Sequence, residues 1–134
     1  MKFPSWLKVY GDQSYRGECP MEGAEQKTFF GYIRRTYPDT FGLIALHPRN
    51  EGKRTHMQIA VQRADGMTAG APDIIVPGKV SFLCEIKRRD HTASSFGKDQ
   101  LPYLEAANKQ GAFVCVALGC DAAVEALEDW IKNA

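Results

Sequence analysis

The chain alternates between segments with helical spacing of apolar residues and short apolar runs typical of buried strands. Proline and glycine mark most boundaries, because proline cannot continue a helix and Pro-Gly is a turn signal. The pattern predicts helices over about 21–36, 56–65 and 100–110 and a last one after Asp121. It predicts strands over 41–47, 73–76, 80–87 and 112–118. This order predicts an α/β protein with a mixed central sheet flanked by helices.

Single residues refine the predicted helices. Met57, Ala60 and Val61 share one face of the second helix and are expected to point inward. Asp99 and Asp121 are expected to cap the last two helices, since a carboxylate can accept hydrogen bonds from the first N–H groups of a helix.

The first nineteen residues have weak periodicity, so residues 1–19 are predicted to form an irregular N-terminal arm of a single domain over 1–134. The arm carries Phe3, Trp6 and Leu7, more apolar surface than a free tail normally exposes. These side chains either contact a second copy of the chain or pack on their own domain.

Composition narrows the function classes. The 134 residues are 44% hydrophobic and 25% charged, as in an ordinary globular domain, and no apolar run is long enough to span a bilayer. No export signal precedes the domain, so a cytoplasmic protein is expected. The net charge of +1 argues against a strongly basic nucleic-acid coat protein but allows a local basic patch. The four cysteines form no CxxC pair, so neither a disulfide framework nor a zinc site is indicated.

Candidate chemistry is concentrated in Asp73 and, twelve positions later, Glu85-Ile86-Lys87. Residues two apart in a strand point to the same side, so Glu85 and Lys87 point together while Ile86 points to the opposite, apolar face. Converging carboxylates can hold a hard cation such as magnesium, and an adjacent ammonium can position water or stabilise phosphate charge. Taken alone, the same residues are also compatible with a turn and a solvated strand face.

Basic residues cluster in the loops that flank these segments. A local basic patch of this kind can bind the phosphates of a nucleic acid. The candidate contacts are Arg49, Lys53, Arg54, Arg88, Arg89 and Lys98.

The ordered set of motifs resembles the VRR-NUC family, the virus-type replication-repair nucleases, within the PD-(D/E)xK nuclease superfamily. The match runs from about residue 20 to 131. Its parts are Glu22 and Gln26, the loop 48–52, Gly66, Gly70-Ala71-Pro72-Asp73, Glu85-Ile86-Lys87, Gln100 and the segment 111–116. No single part is specific to this family. The specific signal is the order of the parts, each of which falls on the element that the fold requires. The resemblance implies a restriction-endonuclease-like core with helices on both faces of a mixed sheet.

The resemblance also implies roles for individual residues. Asp73 and Glu85 would bind Mg²⁺ or Mn²⁺ together with the backbone carbonyl of Ile86. Glu22 would ligate a second metal ion or an intervening water. Lys87 would orient the attacking water, and Gln100 would hydrogen-bond that water or a phosphate.

Small stand-alone proteins of this type, in phages and bacteria, are similar to Holliday-junction resolvases. The implied function is metal-dependent, structure-selective DNA cleavage at junctions or other branched DNA by a homodimer in a bacterial or phage-infected cell. The alternative is a non-catalytic DNA-binding or assembly module that retains the nuclease fold. A sequence-specific restriction enzyme would need base-reading elements for which 134 residues leave little room.

Overall fold

The computed structural model describes residues 1–48 and 54–133, which form one four-stranded sheet with helices on both faces. The strands are β1 (Lys8–Tyr10), β2 (Ile74–Val76), β3 (Phe82–Lys87) and β4 (Phe113–Leu118). The helices are α1 (Glu22–Thr36), α2 (Phe41–Ile44), α3 (His56–Ala64), α4 (Gln100–Lys109) and α5 (Cys120–Asn133). The strand order is β1-β4-β3-β2, with β2 antiparallel to β3 and the other two pairs parallel. The predicted mixed α/β sheet is confirmed.

Each face of the sheet carries its own core. Phe82 and Ile86 point to one face, where they pack with apolar residues of α1 and α5. Leu83 points to the other face, which Leu104 of α4 covers. The predicted alternation along β3 is therefore confirmed. No helix among the described residues is long and apolar enough to cross a membrane.

The N-terminal arm is not irregular as predicted, because it contains β1, which extends the sheet beside β4. Leu7 is buried, and Phe3 and Trp6 pack against the same core. The arm therefore covers its own domain, and its apolar residues no longer argue for a second copy. A strand of three residues is too short to show alternation in the sequence.

The strand predicted over 41–47 is wrong. The short helix α2 occupies the first four residues, and only Leu46 forms a strand-like bridge, to Ile75. Gly42 explains the difference, because a Cβ atom there would lie 2.4 Å from the Ile33 carbonyl oxygen of α1. Glycine at this position lets the segment pack closely against α1 as a helical turn.

Helix α3 presents its apolar side to solvent, contrary to prediction. Met57 is 77% exposed and Val61 is 56% exposed, and Ala60 is exposed as well. The polar Gln62 is half-buried, whereas the other residues of this helix are exposed. Arg54 in the preceding segment donates a hydrogen bond to the side-chain oxygen of Gln62. The apolar spacing of α3 therefore does not mark a buried face among the described residues.

The predicted helix ends are correct in part. Gly66 and Gly111 follow α3 and α4 with positive φ, as expected for residues that end a helix. Asp99 occupies the N-cap of α4, but its side chain makes no capping hydrogen bond. Helix α5 begins at Cys120, so Asp121 lies in its first turn and does not cap it. A carboxylate from α1 takes that role instead.

Candidate active site

The pairing of β2 with β3 brings the two predicted carboxylates together. Ile74 lies opposite Cys84, so Asp73, one residue earlier, comes opposite Glu85. Side chains directly opposite each other in an antiparallel pair share a face, with Cβ atoms about 4.5–5.5 Å apart. Asp73 Oδ2 also accepts a hydrogen bond of 2.9 Å from the Ile86 N–H, which fixes the Asp73 side chain.

The backbone carbonyl of Ile86 projects to the side of β3 on which Asp73 lies. The N–H and carbonyl of a strand residue project to the same side, and the Ile86 N–H bonds to Asp73. The next residue projects to the other side, where the Lys87 carbonyl accepts a hydrogen bond from the Gly119 N–H at 2.9 Å. A carbonyl oxygen, two carboxylates and a lysine are therefore directed to one end of β3.

Lys87 is buried beside these carboxylates, and its ammonium is held in place. Lys87 is only 4% exposed and Glu85 only 3% exposed. Lys87 Nζ donates to the Ser95 carbonyl at 2.9 Å and to Gln100 Oε1 at 3.3 Å. Gln100 Nε2 in turn donates to Glu85 Oε1 at 3.4 Å. Gln100 thus links the acid and the base of β3.

The loop between β3 and α4 supports this network, which the sequence did not predict. The Gly97 N–H donates to Gln100 Oε1 at 2.8 Å. The ring of Phe96 lies 5.3 Å from Lys87 Nζ and packs edge-to-face against Phe3 of the N-terminal arm. The arm therefore supports the loop that positions the ammonium. A loop without periodicity gives no sequence signal for such contacts.

Electrostatics single out Glu85. Its burial and the neighbouring Asp73 carboxylate raise its pKa well above the usual range, although Lys87 opposes the shift. Glu85 Oε2 is buried and meets no hydrogen-bond donor among the described residues. A buried carboxylate oxygen that lacks a donor and faces a second carboxylate is costly in free energy. A cation between the two acids would relieve both costs.

Glu22, the first residue of α1, lies near the acidic pair without joining it. Burial raises its pKa, Lys87 lowers it and Asp73 raises it further, so the three groups interact. Across residues 1–48 and 54–133, no three Asp, Glu, His or Cys side chains lie close enough to enclose a cation. The described site is thus a pair of carboxylates with a third acid nearby.

This donor set fits magnesium better than a metal that needs a complete protein cage. Mg²⁺ usually keeps several waters and is held by one or two carboxylates plus substrate phosphates. Asp73, Glu85 and the Ile86 carbonyl offer only oxygen donors, which hard divalent cations prefer. An ion held by Asp73 and Glu85 would give the unsatisfied Glu85 Oε2 a partner.

Helix α1 is fixed at its first turn by Glu25, a residue that sequence analysis did not single out. Glu25 is buried, and its Oε2 accepts a 3.0 Å hydrogen bond from the Cys120 N–H at the start of α5. A carboxylate at a helix N-terminus is favoured by the helix dipole. This contact ties together the N-terminal ends of α1 and α5 and so helps to position Glu22.

Replacing Glu25 with alanine is expected to lower the free energy of unfolding by about 1–3 kcal/mol, because it leaves the buried Cys120 N–H without an acceptor. Glu25→Gln keeps a side-chain oxygen and is expected to lose clearly less. Urea unfolding of both variants measures the difference. Equal losses in the two variants would contradict this role of the hydrogen bond.

Three of the predicted DNA contacts lie at the end of β3 or in the loop that follows it. Arg88 is half-buried and interacts electrostatically with Glu22. Arg89 is exposed, with its guanidinium 4.2 Å from the ring centre of Tyr15. Lys98 is exposed in the loop before α4. These positions favour contact with a ligand that approaches the end of β3.

The other predicted contacts precede α3. Arg54 is half-buried and donates to Gln62, so it supports α3. Arg49 and Lys53 lie outside the described residues.

The fold, rather than the sequence, relates this chain to a solved structure. A solved structure named "VRR_NUC domain protein" superposes on this chain with a TM-score of 0.71. The two sequences are 20% identical, and the match covers 87% of this chain and 93% of that chain. No family model and no curated protein matches the sequence. The resemblance drawn from the ordered motifs is therefore confirmed for the fold, which is VRR-NUC-like with a restriction-endonuclease-like core.

Proposed function

We propose that this protein is a metal-dependent DNA endonuclease that hydrolyses phosphodiester bonds. One observation supports this above all. Glu85, Lys87 and Gln100 form one hydrogen-bonded network beside Asp73, which accepts from the Ile86 N–H, although burying Glu85 and Lys87 as an acid and a base is costly. A fold that needed only stability could fill these positions with apolar side chains.

In this proposal Lys87 orients the attacking water and opposes the negative charge that develops on the phosphate. Its ammonium is already held by Ser95 and Gln100, so little reorganisation is required. Gln100 was expected to bond the water or a phosphate itself. Its contacts with Lys87 and Glu85 favour a positioning role for its amide.

Mg²⁺ or Mn²⁺, bound by Asp73, Glu85 and the Ile86 carbonyl, would supply electrostatic stabilisation of the phosphate oxygens. Glu22 would hold a second ion or a water at the edge of the site. Its electrostatic interaction with Asp73 and Lys87 supports that placement.

The proposed substrate is branched DNA, in particular a four-way junction, in the cytoplasm of a bacterial or phage-infected cell. A junction has two-fold symmetry and needs two nicks, so a homodimer with one site per strand suits it. The exposed apolar side chains of Met57 and Val61 on α3 are compatible with a second copy.

Cleavage of a matched set of labelled DNAs tests this proposal. A four-way junction, a 5′ flap, a linear duplex and a single strand are each incubated with Mg²⁺, Mn²⁺ or EDTA. We expect cleavage only with metal, faster on branched DNA than on duplex, and paired nicks in the junction. DNA binding without cleavage in either metal would favour the non-catalytic binding or assembly module.

A second test uses the pH dependence of stability in EDTA. The pKa of Glu85 is raised in the folded protein above the ordinary value of 4.5, so the folded state holds this proton more tightly than the unfolded chain. That stabilisation is complete below the ordinary value and is lost as the pH rises through the raised pKa. The wild type is therefore expected to lose stability with rising pH relative to Glu85→Gln, which has no such proton.

Urea-unfolding midpoints of wild type and Glu85→Gln, measured in EDTA from about pH 4 to 9, check this expectation. Glu22 is present in both proteins, so its own shift cancels to first order. Added Mg²⁺ is expected to restore the wild type at high pH and to leave Glu85→Gln unchanged. Parallel pH profiles for the two proteins would contradict the assignment of a raised pKa to Glu85.

A further inference from the structure

An open groove of about 690 Å³ runs along α1 and ends at His47. Lys27 and Arg34 line it from α1 and are both exposed. Among the described residues, no acidic side chain lines this groove. In a chain with a net charge of only +1, a groove with two cations and no acid is a local basic surface.

The groove connects with the candidate active site through His47. His47 Nδ1 lies 2.8 Å from the backbone carbonyl of Asp73, and a carbonyl only accepts, so this nitrogen donates. The first residue of α1, Glu22, lies near the same acidic pair. A ligand chain that leaves the acidic pair along α1 therefore enters the groove.

The two cations are spaced for a linear polyanion. Lys27 and Arg34 are seven residues apart, which places them on one face of α1 about 10 Å apart along its axis. One DNA strand carries regularly spaced phosphate charges, so two cations on one helix face can contact two phosphates of the same strand. Lys27 lies nearer to Glu22 along α1, and Arg34 lies farther from it.

Arg34 is also partly oriented by its surroundings. Its guanidinium carbon lies 5.1 Å from the centre of the Phe30 ring, close enough for a cation–π interaction. Phe30 lines the groove as well, so the interaction holds the guanidinium beside the groove.

We propose that this groove binds the phosphodiester backbone of the DNA strand on one side of the cut, with Lys27 contacting a phosphate nearer to the cut and Arg34 one farther from it. This inference rests on the proposed function, since it needs DNA as the ligand. It adds a binding surface on α1 to the loop residues named in the sequence analysis. It also predicts that the enzyme requires DNA on that side of the cut.

The test compares Lys27→Met with Arg34→Met, singly and combined, and uses Lys109→Met as a matched control. Lys109 is an exposed lysine at the opposite end of α4 from Gln100, and it forms an ion pair with Glu105 of its own helix. Binding of labelled junction and duplex DNA is measured in EDTA over a series of salt concentrations. We expect the double variant to lower the slope of log affinity against log salt by about two, and the control to leave it unchanged.

A length series with the wild type and Mg²⁺ adds an independent readout. Stepwise trimming of the DNA on one side of the cut is expected to slow cleavage by the wild type more than by the double variant. A wild-type salt slope in the double variant, or an equal change in Lys109→Met, would overturn the groove proposal while wild-type cleavage still supports the nuclease. Absence of both DNA binding and cleavage in the wild type would instead refute the proposed function.

Discussion

Asp73→Asn is expected to eliminate DNA cleavage, with a single-turnover rate at least about a hundredfold below wild type. The side chain of asparagine keeps an oxygen that can accept the Ile86 N–H, so the local backbone contact survives. It loses the negative charge that a divalent cation requires opposite Glu85. Cleavage of the preferred DNA with Mg²⁺, under enzyme excess, measures the loss.

Two controls separate chemistry from folding for this variant. Asp73 is one of the groups that raises the pKa of Glu85, so its neutralisation removes a repulsion within the site. The urea midpoint of Asp73→Asn in EDTA is therefore expected to be no lower than that of the wild type. The variant is also expected to bind DNA in EDTA with the affinity of the wild type. A folded Asp73→Asn protein that cuts at the wild-type rate would exclude this site.

Gly70→Ala is expected to cause the largest loss of stability, about 3 kcal/mol or more. Gly70 has a φ of +84°, and a Cβ atom there would lie 2.1 Å from the Asp99 carbonyl oxygen. The contacted atom belongs to the backbone, so the clash can be relieved only if the turn before Asp73 separates from the start of α4. Because α4 begins with Gln100, the variant is also expected to lose cleavage.

Gly66→Ala provides the matched control. Gly66 also has a positive φ, of +107°, but a Cβ atom there would have no neighbour within 4 Å. Only the backbone strain remains, which costs about 1–2 kcal/mol. Chemical unfolding of the two variants therefore separates strain from close approach. Equal losses in Gly66→Ala and Gly70→Ala would show that the contact with Asp99 does not matter.

The proximity of Asp73 and Glu85 could be inferred from the sequence, because strand alternation and a turn signal determine most of this arrangement. Alternation along a strand puts Glu85 and Lys87 on one face, and the turn at Pro77-Gly78 makes the two strands a hairpin. The register of that hairpin then brings the acids opposite each other. Helices α1, α4 and α5 were predicted within a few residues for a similar reason, since each carries a strong local pattern.

The misplaced elements depend on tertiary contacts. Strand β1 forms because β4 would otherwise have a free edge, and three residues carry no recognisable period. The segment of α2 is apolar like a strand, but Gly42 allows close packing on α1 that favours a helical turn. Helix α3 begins and ends within one residue of its predicted bounds, and only the predicted burial of its apolar residues is wrong.

Parts of the site could not be predicted from the sequence, because they also depend on contacts between distant segments of the chain. Glu25 appeared to be an ordinary acidic residue of a first helical turn, and its partner Cys120 lies 95 residues away. Phe3 supports the Lys87 loop from the other end of the chain. Neither contact has a spacing that could be recognised without the fold.

The most direct measurement is calorimetric titration of the DNA-free protein with Mn²⁺, above the pH at which Glu85 ionises. The wild type is predicted to bind the ion, whereas Asp73→Asn and Glu85→Gln are predicted to bind it at least about tenfold more weakly. Lys109→Met serves as the control and should match the wild type. Wild-type Mn²⁺ binding in both acid variants would contradict the assignment of the metal site to Asp73 and Glu85.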